Sequence, residues 1–265
     1  MNYWTQKTFD LANKTNYLDQ LSTIYSFGIT EDEREPIDKA KWKRIVKAYD
    51  KNDNESLIKE LLTLEKFPIN NSYVGYLRKD PEAIKRNPQI VFRLADKIRG
   101  LSKDELKKKC MEPKSNSRQM GQKFREWLTE DHLGIPVLES VATFTKNKKD
   151  AVLKASDAEL LDFARKYFKY PKDKGFDFLA RVNGKYVIGE AKFITNDGGS
   201  QDKQFEDAYT TAELNLKVAI TIGIVDGVPF IDKPTLRKYK AIFNGNSNII
   251  ILSALLIKEF LDSLR

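Results

Sequence analysis

Gly175-Phe-Asp-Phe-Leu-Ala-Arg-Val-Asn-Gly-Lys-Tyr-Val-Ile-Gly-Glu-Ala-Lys-Phe193 holds two strand-like runs, 175–182 and 185–193, separated by Asn183-Gly184. Asn-Gly between such runs is the strongest short signal for a two-residue hairpin turn, because both turn positions need positive φ. A two-residue turn fixes the register. Paired residue numbers must sum to 367, so Asp177 faces Glu190. Cross-strand neighbours have Cβ atoms about 4.5–5.5 Å apart. Lys192 lies two residues beyond Glu190 and points to the same face. Three charges therefore crowd one patch of an otherwise apolar hairpin.

Two opposed carboxylates destabilise a sheet unless something offsets their repulsion. A divalent cation does so: Mg²⁺ takes oxygen ligands, typically one or two carboxylates with water and substrate phosphate. Lys192 is suited to placing a nucleophilic water or neutralising a phosphate. The same residues also fit an ordinary Lys-Glu pair, with Asp177 solvated at a strand end.

Around the hairpin the periodicity is mixed. The first hundred residues read as helical, with Trp42, Ile45, Val46 and Tyr49 at helical spacing, then Leu57, Ile58, Leu61 and Leu62. Pro88 should kink or divide the helix carrying Ile84, Val91, Leu94 and Ile98. Ser102 with Glu105, and Ser156 with Glu159, form capping-box patterns. Residues 112–121 are polar and read as a loop, followed by a helix carrying Phe124, Trp127 and Leu128. Residues 201–216 are amphipathic, 218–225 and 248–253 read as buried strands, and a helix through Phe260 closes the chain. The expectation is an α/β fold: a core over 112–265, preceded by a mostly helical N-terminal annex over 1–111. Tyr3, Trp4, Tyr73 and Tyr76 are expected in the core rather than as stacking platforms.

Composition narrows the chemistry. The chain has 265 residues, 41% of them hydrophobic and 32% charged, which suits a globular protein with a real core. No apolar run reaches the roughly 18 residues of a membrane span, and the first residues carry no apolar signal core, so a cytoplasmic protein is expected. Lys and Arg number 46 against 38 Asp and Glu, and the surplus of +8 favours an anionic partner such as nucleic acid. One histidine, His132, and one cysteine, Cys110, rule out paired-His metal sites and a structural zinc site. Any catalysis must rest on carboxylates, lysines and a metal.

Phe176-Asp177, the hairpin and Gly189-Glu190-Ala191-Lys192 resemble the signature of the PD-(D/E)XK nuclease superfamily, in which an Asp on one strand is followed by Glu-x-Lys on the next. Gly175-Phe176 stands where the family's Pro is often found. The resemblance implies a restriction-endonuclease-like mixed sheet flanked by helices. It implies that Asp177 and Glu190 bind Mg²⁺, that the Ala191 carbonyl completes the metal shell, and that Lys192 assists the attacking water. Family members often add a Glu from the preceding helix; Glu126 is the candidate here, with Glu139 second.

Within the superfamily, residues from about Arg118 to Val225 are most similar to small type II restriction endonucleases. That implies double-strand cuts at a short specific DNA sequence, a homodimer matching a near-symmetric site, and a DNA methyltransferase as functional counterpart. Lys114, Asn116, Ser117, Arg118 and Gln119 offer phosphate and base-edge donors, as do Asn196, Ser200, Gln201 and Lys203 after the motif. Two other readings fit the same residues: a repair, recombination or defence nuclease on this core, and a catalytically inert DNA-binding protein.

Overall fold

The structure is a computed structural model describing residues 1–13, 16–26, 36–112, 116–196, 198–231, 233 and 237–265, without the side chains of 116–118. Its contacts divide the chain into two compact units, 28–119 and a second made of 1–27 with 120–265. The expected boundary at 111/112 kept all N-terminal residues together. Instead, α1 (Tyr3–Ala12) and α2 (Tyr17–Leu21) belong with the C-terminal part. Phe9, Leu11, Tyr17 and Leu21 supply the buried apolar residues that hold them there.

The unit 28–119 is helical: α3 (Lys39–Asp50), α4 (Asn54–Leu62), α5 (Tyr73–Lys79), α6 (Ala83–Arg86), α7 (Pro88–Arg99) and α8 (Lys103–Met111). Asp38 and Asp53 cap the first two through the amides of Lys41 and Ser56, and Ser102 with Glu105 forms the expected capping box. Pro88 divides α6 from α7 and stands at the first helical position, where its missing N–H costs nothing. Ile45, Leu57, Ile58, Leu61, Leu94 and Ile98 form the fully buried centre.

The other unit is α/β. After α9 (Asn116–Leu128) come β1 (Val137–Leu138), α10 (Val141–Lys146), β2 (Ala151–Leu153), α11 (Asp157–Phe168), β3 (Phe178–Val182) and β4 (Lys185–Ile194). They are followed by α12 (Ser200–Ala212), β5 (Ala219–Gly227), α13 (Arg237–Gly245), β6 (Ile250–Leu252) and α14 (Ile257–Asp262). Among the described residues the six strands form one sheet in chain order, antiparallel across β2-β3-β4 and parallel at β1-β2, β4-β5 and β5-β6. This is the restriction-endonuclease-like mixed sheet flanked by helices that the motif implied. The polar stretch expected as a loop over 112–121 is helical from Asn116 onward. The helical phase of Phe124 and Leu128, both buried, extends back through it. No helix of the described residues is long and apolar enough to cross a membrane.

A buried acid ties the N-terminal helices to the sheet. Asp226, at the end of β5, is fully buried and accepts from Tyr17 Oη (3.2 Å), Tyr25 Oη (2.9 Å), the Ala254 amide (3.2 Å) and Ser253 Oγ. Burial pushes its carboxyl up, and these four donors pull it back without cancelling the shift. A carboxyl raised by folding stabilises fully below its ordinary value, and that contribution is lost as pH rises through the raised one. Asp226→Ala should orphan the buried donors and cost on the order of 3 kcal/mol in urea unfolding, while removing this pH slope.

Candidate active site

The hairpin has the register that the two-residue turn dictates. Asn183 and Gly184 both have positive φ, 49° and 74°, the type I′ turn, and Phe178 to Val182 pair with Gly189 to Lys185. The regular ladder ends at Phe178. Asp177 sits one residue before it, its amide donating to the Gly189 carbonyl at 3.0 Å. Its side chain is fixed from β4, where the Ala191 amide donates to Asp177 Oδ2 at 3.0 Å.

Alternation along β4 places Ile188, Glu190, Lys192 and Ile194 on one face. Ile188 belongs to the apolar cluster under α11, and Ile194 to the one under α12 and α13. Glu190 and Lys192 thus occupy a polar gap between two cores. Glu190 is only 3% exposed. Burial, then the neighbouring Asp177 carboxylate, pushes its carboxyl above the usual range, against the opposing pull of Lys192 and Lys174.

Lys192 links the two acids. Its ammonium bonds Glu190 Oε1, and lies 3.2 Å from the Ala191 carbonyl oxygen and 3.7 Å from Asp177 Oδ2. Three hard oxygens therefore converge on one cation, and they are the three named from the sequence. That donor set suits Mg²⁺, which favours oxygen ligands and keeps several waters. Among the described residues, no group of three or more Asp, Glu, His or Cys side chains gathers for a metal. A metal here would rest on two carboxylates, a backbone carbonyl and water.

Two further cations adjoin the acids, and sequence reasoning missed both. Arg125 on α9 bonds Asp177 Oδ1 through Nη2 at 3.0 Å. Lys174, before β3, bonds Glu190 Oε1 at 3.0 Å. Burial works against the charge of Lys174, but Asp207 and Glu190 outweigh it and hold its ammonium above the ordinary lysine value.

Glu126, the expected third acid, lines a cavity of about 460 Å³ beside Asp177 together with Glu139 and Lys154. Its carboxylate accepts from Gln122 at 3.1 Å, and Glu139 pairs with Lys154 at 2.8 Å. The contact from α9 to Asp177 is made by Arg125, one position earlier. Of the expected DNA-contacting residues, Lys114 lies outside the described residues. Asn116, Ser117 and Arg118 lie in the first turn of α9, with side chains outside the description, and Gln119 is half-buried. Asn196 is exposed on the β4–α12 connection, and Ser200 and Lys203 are exposed on α12. Gln201 turns back to accept the Thr195 amide at 3.0 Å.

The model of the Tsp45I type II restriction enzyme family matches residues 2–264, nearly the whole chain. The chain belongs to that family. No curated protein and no solved structure matched. Membership of the Tsp45I family makes the chain a site-specific endodeoxyribonuclease with DNA as substrate. In this Tsp45I-type enzyme the hairpin carries Glu190 and Lys192 on β4, with Asp177 just before β3.

Proposed function

We propose that the enzyme cuts both strands of duplex DNA at a short specific sequence by Mg²⁺-dependent phosphodiester hydrolysis, with Asp177, Glu190 and Lys192 as its active site. The observation that carries this reading is the convergence of Glu190 Oε1, the Ala191 carbonyl and Asp177 Oδ2 on the Lys192 ammonium. When bound there, Mg²⁺ supplies Lewis acidity toward phosphate and lowers the pKa of water. Asp177 and Glu190 would hold it. Lys192 would orient the attacking water and neutralise charge on the phosphate.

The unit 28–119 is proposed to recognise DNA. It holds 22 Lys and Arg against 16 Asp and Glu, a net +6 of the chain's +8. A charge surplus of this kind attracts the phosphate backbone. On α5, Tyr73 and Tyr76 are 56% and 63% exposed, contrary to the expectation of core positions, and stand beside the exposed Lys79. The donors around 116–119 and 196–203 are proposed as further contacts to DNA, and the active form as a homodimer matched to a two-fold site. A DNA methyltransferase would protect the host's own sites.

Digestion of unmethylated phage DNA with Mg²⁺ tests the reading. Discrete fragments are expected, abolished by chelation. A smear would contradict sequence-specific cutting, and fragments that persist in chelator would contradict the metal.

A further inference from the structure

The acids and bases of the site form one alternating chain of seven charges. Asp157 pairs with Arg125 at 2.9 Å, Arg125 with Asp177 at 3.0 Å, and Asp177 with Lys192 at 3.7 Å. Lys192 pairs with Glu190, Glu190 with Lys174 at 3.0 Å, and Lys174 with Asp207 at 2.8 Å. The inner three residues are largely buried. The two flanking cations are not: Arg125 is 50% and Lys174 61% exposed. Each is held between an inner acid of the site and an outer one, Asp157 at the start of α11 or Asp207 on α12.

We propose that Arg125 and Lys174 are phosphate-binding residues of the cleavage reaction, gripping the DNA backbone on either side of the carboxylate pair. The proposal rests on the reading of Asp177 and Glu190 as the metal-binding acids. Three observations carry it. First, Glu190 already has Lys192 bonded to it, so a second, exposed ammonium is not needed to neutralise it. Second, both cations keep donors to spare. Lys174 uses two of its three N–H groups, and both Arg125 bonds leave from Nη2, so the rest of the guanidinium fork is left for an anion. Third, the charges change sign with metal. Four acids and three bases sum to −1. One divalent cation makes the cluster +1, and phosphate is then attracted to a site that repelled it. Tethering by the outer acids holds both cations near where the phosphate arrives, so less side-chain freedom is lost on binding.

The test is equilibrium binding of a fluorescent duplex carrying the cleavage site mapped from the phage digest, with Ca²⁺ in place of Mg²⁺, over a range of salt. Arg125→Gln and Lys174→Met should each weaken binding and lower the slope of log K against log salt by about one, as loss of a single phosphate contact does. Lys174→Arg should restore the slope. Slopes equal to wild type in both variants, each with wild-type thermal unfolding, would overturn the proposal. Asp177→Asn separates the two readings. If it loses the strengthening of binding by Ca²⁺, the metal site stands, and the slopes alone judge Arg125 and Lys174. If it keeps that strengthening, the metal reading itself has failed.

Discussion

Lys192→Ala is expected to reduce single-turnover cleavage by about 10²–10⁴-fold while leaving DNA binding in Ca²⁺ near that of the wild type. A positioned proton-transfer or charge-stabilising group contributes rate factors of that size. The geometry says why binding survives. Lys192 is only 17% exposed, so it offers little surface for holding the duplex, and its contribution is expected in the chemical step. Its removal leaves Asp177 and Glu190 opposed without the ammonium between them. The variant should therefore lose thermal stability without metal and regain much of it when Ca²⁺ is added. A variant that cleaves within a few-fold of wild type would remove Lys192 from the chemistry.

The second large effect is expected at Asp177. Asp177→Asn keeps an oxygen for the Ala191 amide but deletes one of the two charges proposed to hold the metal, and it leaves Arg125 without its inner partner. Calorimetric titration with Ca²⁺ should show affinity lowered by about 100-fold or more, because even hydrogen-bond partners of metal ligands are worth about 10–100-fold. Cleavage should fall in parallel. Undiminished Ca²⁺ affinity would show that the metal sits elsewhere.

Much of this site was legible because a two-residue turn leaves no freedom. Asn183-Gly184 sets the pairing, the pairing puts Glu190 beside Asp177, and the period of two adds Lys192. The capping boxes at Ser102 and Ser156 were legible for the same reason, since each is closed within four residues. What failed depended on distant partners. β1 and β2 have two and three residues, too few to show alternation, and β2 is buried throughout. Arg181, a charge within the buried β3, finds its partners in the carbonyls of Phe144, Asn147 and Lys149, which no local pattern announces. Tyr73 and Tyr76 share a helical stripe, but Val74 and Leu77 form a competing one a single residue on, and that stripe is buried. Lys174 and Asp207 meet across 33 residues, so the outer half of the charge chain appears only in three dimensions.

The most direct test of the central claim is cleavage of a plasmid carrying one mapped site, at saturating Mg²⁺ and with enzyme in excess, comparing wild type with Asp177→Asn and Lys192→Ala. Linear product from the wild type, with both variants bound to DNA but at least about 100-fold slower, is the predicted result. Linearisation by either variant at the wild-type rate would contradict it, and would place the active site of this enzyme outside the hairpin.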